Sequence, residues 1–317
     1  MDIRYKSALR AGGGIDRPDL AIGVRYLMDN YLPEAWRMLA GSHPIQEIAA
    51  EIPGLPPGIL EEARVHLRVA DWPLDRTSRI LRSRCNCGAI HRTIVLNARM
   101  LDLFTYVHAK ISENVTLGSR GGERTLRFDG DTIEIEAMRT RVVSAQSVKS
   151  VAAAIHSCGG ENALIYHGIL GSGIAFLTAH EAAHAHVLFD DQTQEERWAD
   201  RIAMTTLQQR ATYLLALSKS INGRYDENFD PDLPLFQLFC GVELLLHHLD
   251  LERALTHNCT RARMPAGPLS PQQRFADMAG MIDLFIRLQV CGDYWAWRLP
   301  YLTFWEAVAA ILESPDE

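Results

Sequence analysis

Three histidines and one glutamate lie within nine residues of the sequence, in the stretch TAHEAAHAH from Thr178 to His186. His180 and His184 are four residues apart, and on an α-helix this spacing places two side chains on one face, about 6 Å apart along the axis. Two imidazoles in this arrangement can occupy adjacent positions around a tetrahedral metal ion, and the His-Glu-X-X-His pattern is typical of zinc. We therefore predict a Zn2+ site with His180 and His184 as ligands.

The same helical geometry gives the other two polar residues of this stretch different roles. Glu181 lies about 100° around the helix from His180, so it can flank the metal without binding it. From that position it can accept a proton from a metal-bound water, whose pKa zinc lowers to about 7. We predict that Glu181 is the catalytic base. His186 lies about 200° around the helix from His184 and points away from the metal, which favours a structural or surface role.

A third protein ligand is expected from the segment DDQTQEERWADRIAM, residues Asp190 to Met204. Glu196 and Asp200 are four residues apart and share a helix face. We predict that Glu196 is the third metal ligand and that Asp200 hydrogen-bonds to a ligand histidine. An alternative for Glu196 is a capping box with Thr193, in which its side chain would reach back to the start of the helix. The two upstream histidines favour the ligand role, because they need a third protein ligand.

A group that stabilises the developing oxyanion is also expected in a hydrolytic site. The candidates in the sequence are Tyr225, His247, His248, His257 and Arg274. Of these we predict contacts with the substrate or the oxyanion for Arg274 and His257, and Arg274 could equally pair with Glu196 or Asp200. The stretch CNCGAIH (Cys85–His91) offers two thiols and an imidazole, but its Cys-X-Cys spacing is poor for zinc. Reduced cysteines are the favoured interpretation there.

Length, charge and hydropathy narrow the class of protein. The chain has 317 residues and a formal net charge of −7, so its overall charge gives no support to a nucleic-acid partner. Six cysteines are scattered, and the N-terminus has no apolar core of signal-peptide length. The most apolar run, residues 163–179, contains three glycines and His167, which favours a buried helix over a membrane span. We predict a cytoplasmic protein with no nucleic-acid or membrane partner.

The elements that must position these residues are mostly helical. Apolar residues recur at helical spacing over 20–41, 58–70, 144–157, 161–188 and most of the chain from Thr193 onward. Arg92–Ile111 reads as a strand followed by a helix, and Thr125–Ala137 as a hairpin around Asp129-Gly130. We predict a mainly α (α+β) fold with a small β-hairpin or sheet element. We also predict a helical N-terminal region, 1–80, and a metallopeptidase domain, 81–317.

The motif residues resemble a known family. HEAAH followed by TQEERWADRIAMTTL resembles the Lit family of bacterial phage-exclusion peptidases, and IVLNARMLDLFTYVHA (Ile94–Ala109) is similar to its strand-then-helix segment. The resemblance covers roughly residues 90–110 and 163–210. It implies a zincin-like helical core and a cytoplasmic zinc endopeptidase, and the activity known in that family is cleavage of a translation elongation factor during phage infection. The Glu-X-X-Ala-Asp pattern is also shared with other glutamate-zincins, including membrane CAAX-type peptidases. A downstream His-Pro with a nearby Arg is frequent in such peptidases, and GPLSPQQRF (Gly267–Phe275) has Arg274 without the histidine.

Two hypotheses follow from the sequence. The first is a zinc-dependent endopeptidase of glutamate-zincin type that cleaves a cellular protein, in phage defence or in a related toxic or regulatory role. The second is a regulatory or sensor module that keeps a structural zinc-binding helix and has no proteolytic activity. An intact base at Glu181 favours the first hypothesis, because a structural zinc site has no need of a base.

Overall fold

The computed structural model describes residues 2–33, 46–48, 50, 52, 60–61, 63–72, 78–84, 89–120, 123–128, 137–138, 161–187, 191–221, 232–257, 273–274, 276–277, 303–304, 306–308 and 310. Its helices are α1 (Asp2–Ala11), α2 (Pro18–Tyr31), α3 (Ala98–Asn114), α4 (Glu161–His184), α5 (Gln192–Ile221) and α6 (Asp232–His257). Its strands are β1 (Ile15–Asp16), β2 (Arg64–Asp71), β3 (Ser78–Arg84), β4 (Ile90–Asn97), β5 (Val115–Arg120) and β6 (Glu123–Phe128). The fold is mainly α with a small mixed sheet, which confirms the predicted class.

Four strands form one sheet in the order β1-β2-β4-β3. The central strands β2 and β4 are parallel, whereas β1 and β3 pair antiparallel to them at the two edges. Strand β4 leads directly into α3, as predicted for Arg92–Ile111. The junction has a local cause, because the side chain of Asn97 accepts a hydrogen bond from the backbone N–H of Arg99 at 3.1 Å and so caps the first turn of α3.

The N-terminal part of the chain contributes to this same sheet. The predicted helix over 58–70 is wrong, because Arg64–Asp71 forms β2. Val65, Leu67 and Val69 are all buried, and this period of two is the signature of a strand. The predicted limit between an N-terminal region and a second domain at residue 80 falls inside β3, and β2 pairs with β4 across it.

A separate antiparallel hairpin is formed by β5 and β6. The predicted hairpin began at Thr125, which lies in β6, but the observed partner of β6 is the upstream strand β5. The predicted turn at Asp129-Gly130 lies outside the described residues, and so does the predicted helix over 144–157.

Helix α4 is at the centre of the helical part, where it packs against α2, α3, α5 and α6. It is buried on all sides from Gly168 to its C-terminal end, as expected for a helix that is apolar all round. Glycines allow this close packing: a Cβ added to Gly173 would lie 2.8 Å from the backbone oxygen of Gly241 in α6. No helix among the residues that the structure describes is both long enough and apolar enough to cross a membrane.

Candidate metal centre

The C-terminal end of α4 and the first turns of α5 together form the site. Helix α4 ends at His184, and α5 begins eight residues later at Gln192. The start of α5 is capped by Asp191, whose Oδ1 accepts a hydrogen bond from the backbone N–H of Thr193 at 2.8 Å. Because the cap is Asp191 and not Thr193, the alternative capping-box role of Glu196 does not apply, and its carboxylate is directed to the histidines instead.

His180, His184 and Glu196 form a group of three potential metal ligands whose donor atoms all lie within 4.8 Å of one another. The two Nε2 atoms are 3.0 Å apart. Glu196 Oε2 is 3.5 Å from His180 Nε2, and Glu196 Oε1 is 3.5 Å from His184 Nε2. Tetrahedral zinc with bonds of about 2.0–2.1 Å separates its ligand atoms by about 3.3 Å, so these residues fit a zinc ion.

The predicted contact between Asp200 and a ligand histidine is present. His180 Nδ1 lies 2.9 Å from Asp200 Oδ1. With its proton on Nδ1 donated to this carboxylate, the imidazole turns the lone pair of Nε2 toward the other ligands. Asp200 is itself bound on both oxygens by Arg274, through Nε to Oδ2 at 2.9 Å and Nη2 to Oδ1 at 2.7 Å. Arg274 therefore serves as a partner of Asp200, one of the two roles that the sequence left open.

The second ligand histidine also has a carboxylate on its outer nitrogen, which the sequence reasoning did not assign. His184 Nδ1 lies 3.1 Å from Glu195 Oε1. Glu195 lies in the segment Asp190–Met204, where helical spacing assigned roles only to Glu196 and Asp200. The signal that could have identified it is chemical, because a metal-binding histidine almost always donates its other N–H to a carboxylate, a carbonyl or a water.

The carboxylates beside His180 and His184 favour positive charge at the point where the two imidazole rings meet. Burial alone would lower the pKa of His184, but its hydrogen bonds with Glu195 and Glu196 outweigh burial and raise this pKa to about 10. Burial likewise opposes a charge on His180, and the contact with Asp200 contributes to raising its pKa above the ordinary value. Burial would raise the pKa of Glu196, yet its hydrogen bonds to both histidines hold it far below the usual range. The carboxylate of Glu196 thus stays charged and stabilises positive charge at this point.

Glu181 is close to this group but is not part of it. Its side chain is buried, and its charge contributes to raising the pKa of His184 and of Arg274. Within the described part of the chain, no hydrogen bond or ion pair occupies its carboxylate. This is the placement that the helical geometry predicts for a base that flanks a metal ion.

The remaining candidates lie elsewhere or outside the described residues. His186 is fully buried, and its Nδ1 lies 3.3 Å from the carbonyl oxygen of Glu61, so its predicted structural role agrees with its position. The side chain of His257 lies outside the described residues, as do Cys85 and Cys87. The prediction of an oxyanion or substrate contact for His257 is therefore untested.

Comparisons with protein-family models, with curated proteins and with solved structures found no match to this chain. The resemblance to the Lit family stays a prediction from the sequence motifs. The geometry of the site is consequently the main support for a function.

Proposed function

We propose that this protein is a zinc-dependent endopeptidase. The observation that carries the proposal is the convergence of His180, His184 and Glu196 on one point, with the buried Glu181 near enough for its charge to contribute to raising the pKa of His184. Three protein ligands with one open position are typical of catalytic zinc, whereas structural zinc is closed by four protein ligands. No fourth His, Cys, Asp or Glu joins this group among the residues described by the structure.

The residues of the site would have distinct roles in peptide hydrolysis. His180, His184 and Glu196 would hold a zinc ion, which would act as a Lewis acid toward a carbonyl and would lower the pKa of water to about 7. Glu181 accepts the proton of the attacking water and passes it to the leaving amine. Asp200 holds His180 in the tautomer that presents Nε2 inward, and Arg274 balances the buried charge of Asp200.

The biological setting in the proposal comes from the family resemblance. HEAAH and TQEERWADRIAMTTL support a bacterial enzyme that acts on a cellular protein in phage defence. A translation elongation factor is the first substrate to test, and the cytoplasm is the compartment in which it would be met.

A direct test compares wild type with Glu181→Gln in growing cells and in their proteomes. We expect wild type to slow growth and to produce one dominant cleaved protein, while Glu181→Gln does neither, since loss of a general base costs about 100- to 10,000-fold in rate. Both proteins should bind one zinc ion, because Glu181 is not a ligand. Identical proteomes for the two proteins, with zinc bound in both, would favour the regulatory or sensor module instead.

A further inference from the structure

The end of the metal-binding helix is joined to the sheet by one buried arginine. Arg92 in β4 is 1% exposed, and its Nη1 donates a hydrogen bond to the carbonyl oxygen of Ala185, the residue that follows the ligand His184. Its Nη2 donates to the carboxylate of Glu61. A buried guanidinium is costly unless it is paired, so this contact is a fixed part of the fold.

Glu61 is held at this position by the backbone. Its N–H donates to the carbonyl oxygen of His186 at 2.8 Å, and the ring Nδ1 of His186 lies 3.3 Å from the carbonyl oxygen of Glu61. The neighbouring residues Leu60 and Val187 form an isolated antiparallel bridge. The carboxylate that pairs with Arg92 is therefore fixed by the same short segment that follows the ligand histidine.

The carboxylate on His184 belongs to the same group of charges. Burial lowers the pKa of Arg92, and the charges of Glu61 and Glu195 oppose that shift, so Glu195 acts on Arg92 as well as on His184. Glu195 Oε1 contacts His184 Nδ1 at 3.1 Å. His184 is thus connected to its surroundings by its side chain, through Glu195, and by its main chain, through Ala185 and Arg92.

We propose that Arg92 and Glu195 are positioning residues that together hold His184 in its metal-binding orientation. This inference rests on the proposed zinc site and adds two residues to it, one of them in a strand about ninety residues earlier in the chain. Arg92 fixes the backbone at the end of α4, and Glu195 fixes the ring and its tautomer. Because the ligand atoms must converge on one point, a loss of either contact lowers zinc affinity without removing a ligand.

The test measures zinc affinity of the full chain by competition with a chromophoric chelator. We expect Glu195→Gln and Arg92→Gln each to weaken zinc binding by about tenfold to a hundredfold, the usual range for residues that orient a ligand. Both variants should also change the visible absorption spectrum of the cobalt-substituted protein, which reports ligand geometry. A purely structural role would alter thermal unfolding of the chelator-treated protein and leave that spectrum unchanged.

Arg99→Gln is the matched control. Arg99 in α3 makes an ion pair from its Nε to Asp71 Oδ1 at 2.7 Å, where the central strand β2 ends, and neither residue belongs to the ligand group or to the segment that follows His184. We expect this variant to bind zinc as wild type does. Wild-type affinity in Glu195→Gln, which keeps the fold because its side chain is 19% exposed, would overturn the inference while leaving the zinc site intact. A wild-type protein that binds no zinc would instead overturn the proposed function.

Discussion

The protein contains two pairs of buried histidines, and they differ in almost every other respect. His180 and His184 lie on one helix with ring centroids 4.6 Å apart and carboxylates on their nitrogens. His108 in α3 and His248 in α6 come from separate helices and pack against the ring of Phe104, with centroid distances of 4.5 and 4.7 Å.

The surroundings give the two pairs opposite charge states. Burial lowers the pKa of His108 to about 3 and that of His248 to about 3, so both are neutral at pH 7. At the metal centre, carboxylates overcome the same burial and raise the pKa of His184 to about 10. Burial of two imidazoles does not by itself make a binding site. A binding site for a cation also needs acidic side chains that converge on the imidazoles, because their charge stabilises a cation where the two rings meet.

The largest expected effect is a difference in zinc affinity between a variant of the first histidine pair and a variant of the second. His184→Ala removes one of three ligands, so we expect zinc affinity to fall by more than the roughly 10- to 100-fold typical of an orienting residue. His248→Leu should bind one zinc ion with wild-type affinity, because His248 does not belong to the ligand group. Metal content after dialysis, measured by atomic absorption, checks both. Equal loss of zinc from the two variants would show that the two histidine pairs do not differ in zinc binding.

A smaller effect is expected from changing the carboxylate behind His180. Asp200→Asn keeps the size of the side chain but removes the charge that pairs with His180 and Arg274. We expect zinc affinity to fall by about 10- to 100-fold. We also expect lower stability without metal, because Arg274 loses its main buried partner. Calorimetric titration with zinc and thermal unfolding in chelator give the two quantities. An Asp200→Asn protein with unchanged zinc affinity would argue that His180 needs no orientation.

The smallest effect concerns the stability of the metal-free protein at mildly acid pH. The folded-state pKa of His248 lies at about 3, below its unfolded value of 6.5, so its contribution to stability is complete above pH 6.5 and is lost as the pH falls toward 3. Between pH 7 and pH 5 this loss is about 2 kcal/mol. Urea unfolding should therefore show a weaker acid dependence for His248→Leu than for wild type.

The stability that His184 contributes changes with pH in the opposite direction, so a His184 variant provides the control for that experiment. Its folded pKa of about 10 lies above 6.5, so its contribution in the metal-free protein is present below pH 6.5 and is lost as the pH rises toward 10. Between pH 7 and pH 5 that contribution still grows by roughly 1 kcal/mol, so His184→Ala should make the loss of stability on acidification slightly larger, opposite to the change expected for His248→Leu. If His248→Leu and His184→Ala change that dependence equally, the two environments do not differ as described.

Much of the site was predictable, because its spacing is local. Four residues along a helix fix the relation of His180 to His184, and the same rule relates Glu196 to Asp200. The sequence left Glu196 and Asp200 open as partners of Arg274, and the fold pairs it with both, bidentately with Asp200 and at 3.7 Å from Nη1 to Oε2 with Glu196. Glu195 was not predicted, because its contact depends on how α5 follows α4 and not on spacing within one helix.

The prediction of helices and strands was correct where the pattern was local and wrong where pairing between distant segments decided the structure. The strand-to-helix change at Asn97 was clear, since β-branched residues give way to helical spacing there. Strand β2 was read as helix, because a short apolar run fits both periods and its pairing with a distant strand decides between them. The pairing of β2 with β4 across the predicted boundary at residue 80 likewise cannot be seen in the sequence.

The sequence by itself determined the chemistry that this protein can offer. His180, Glu181 and His184 must lie on adjacent faces of one helix turn if that segment is helical, and their residue types suit zinc and proton transfer. Only the tertiary structure decided which groups surround them. Arg92 reaches the end of α4 from a strand in the sheet, and His248 of α6 packs against the ring of Phe104 in α3. Local geometry follows from backbone hydrogen bonding within a segment, whereas these contacts follow from packing between segments far apart in the chain.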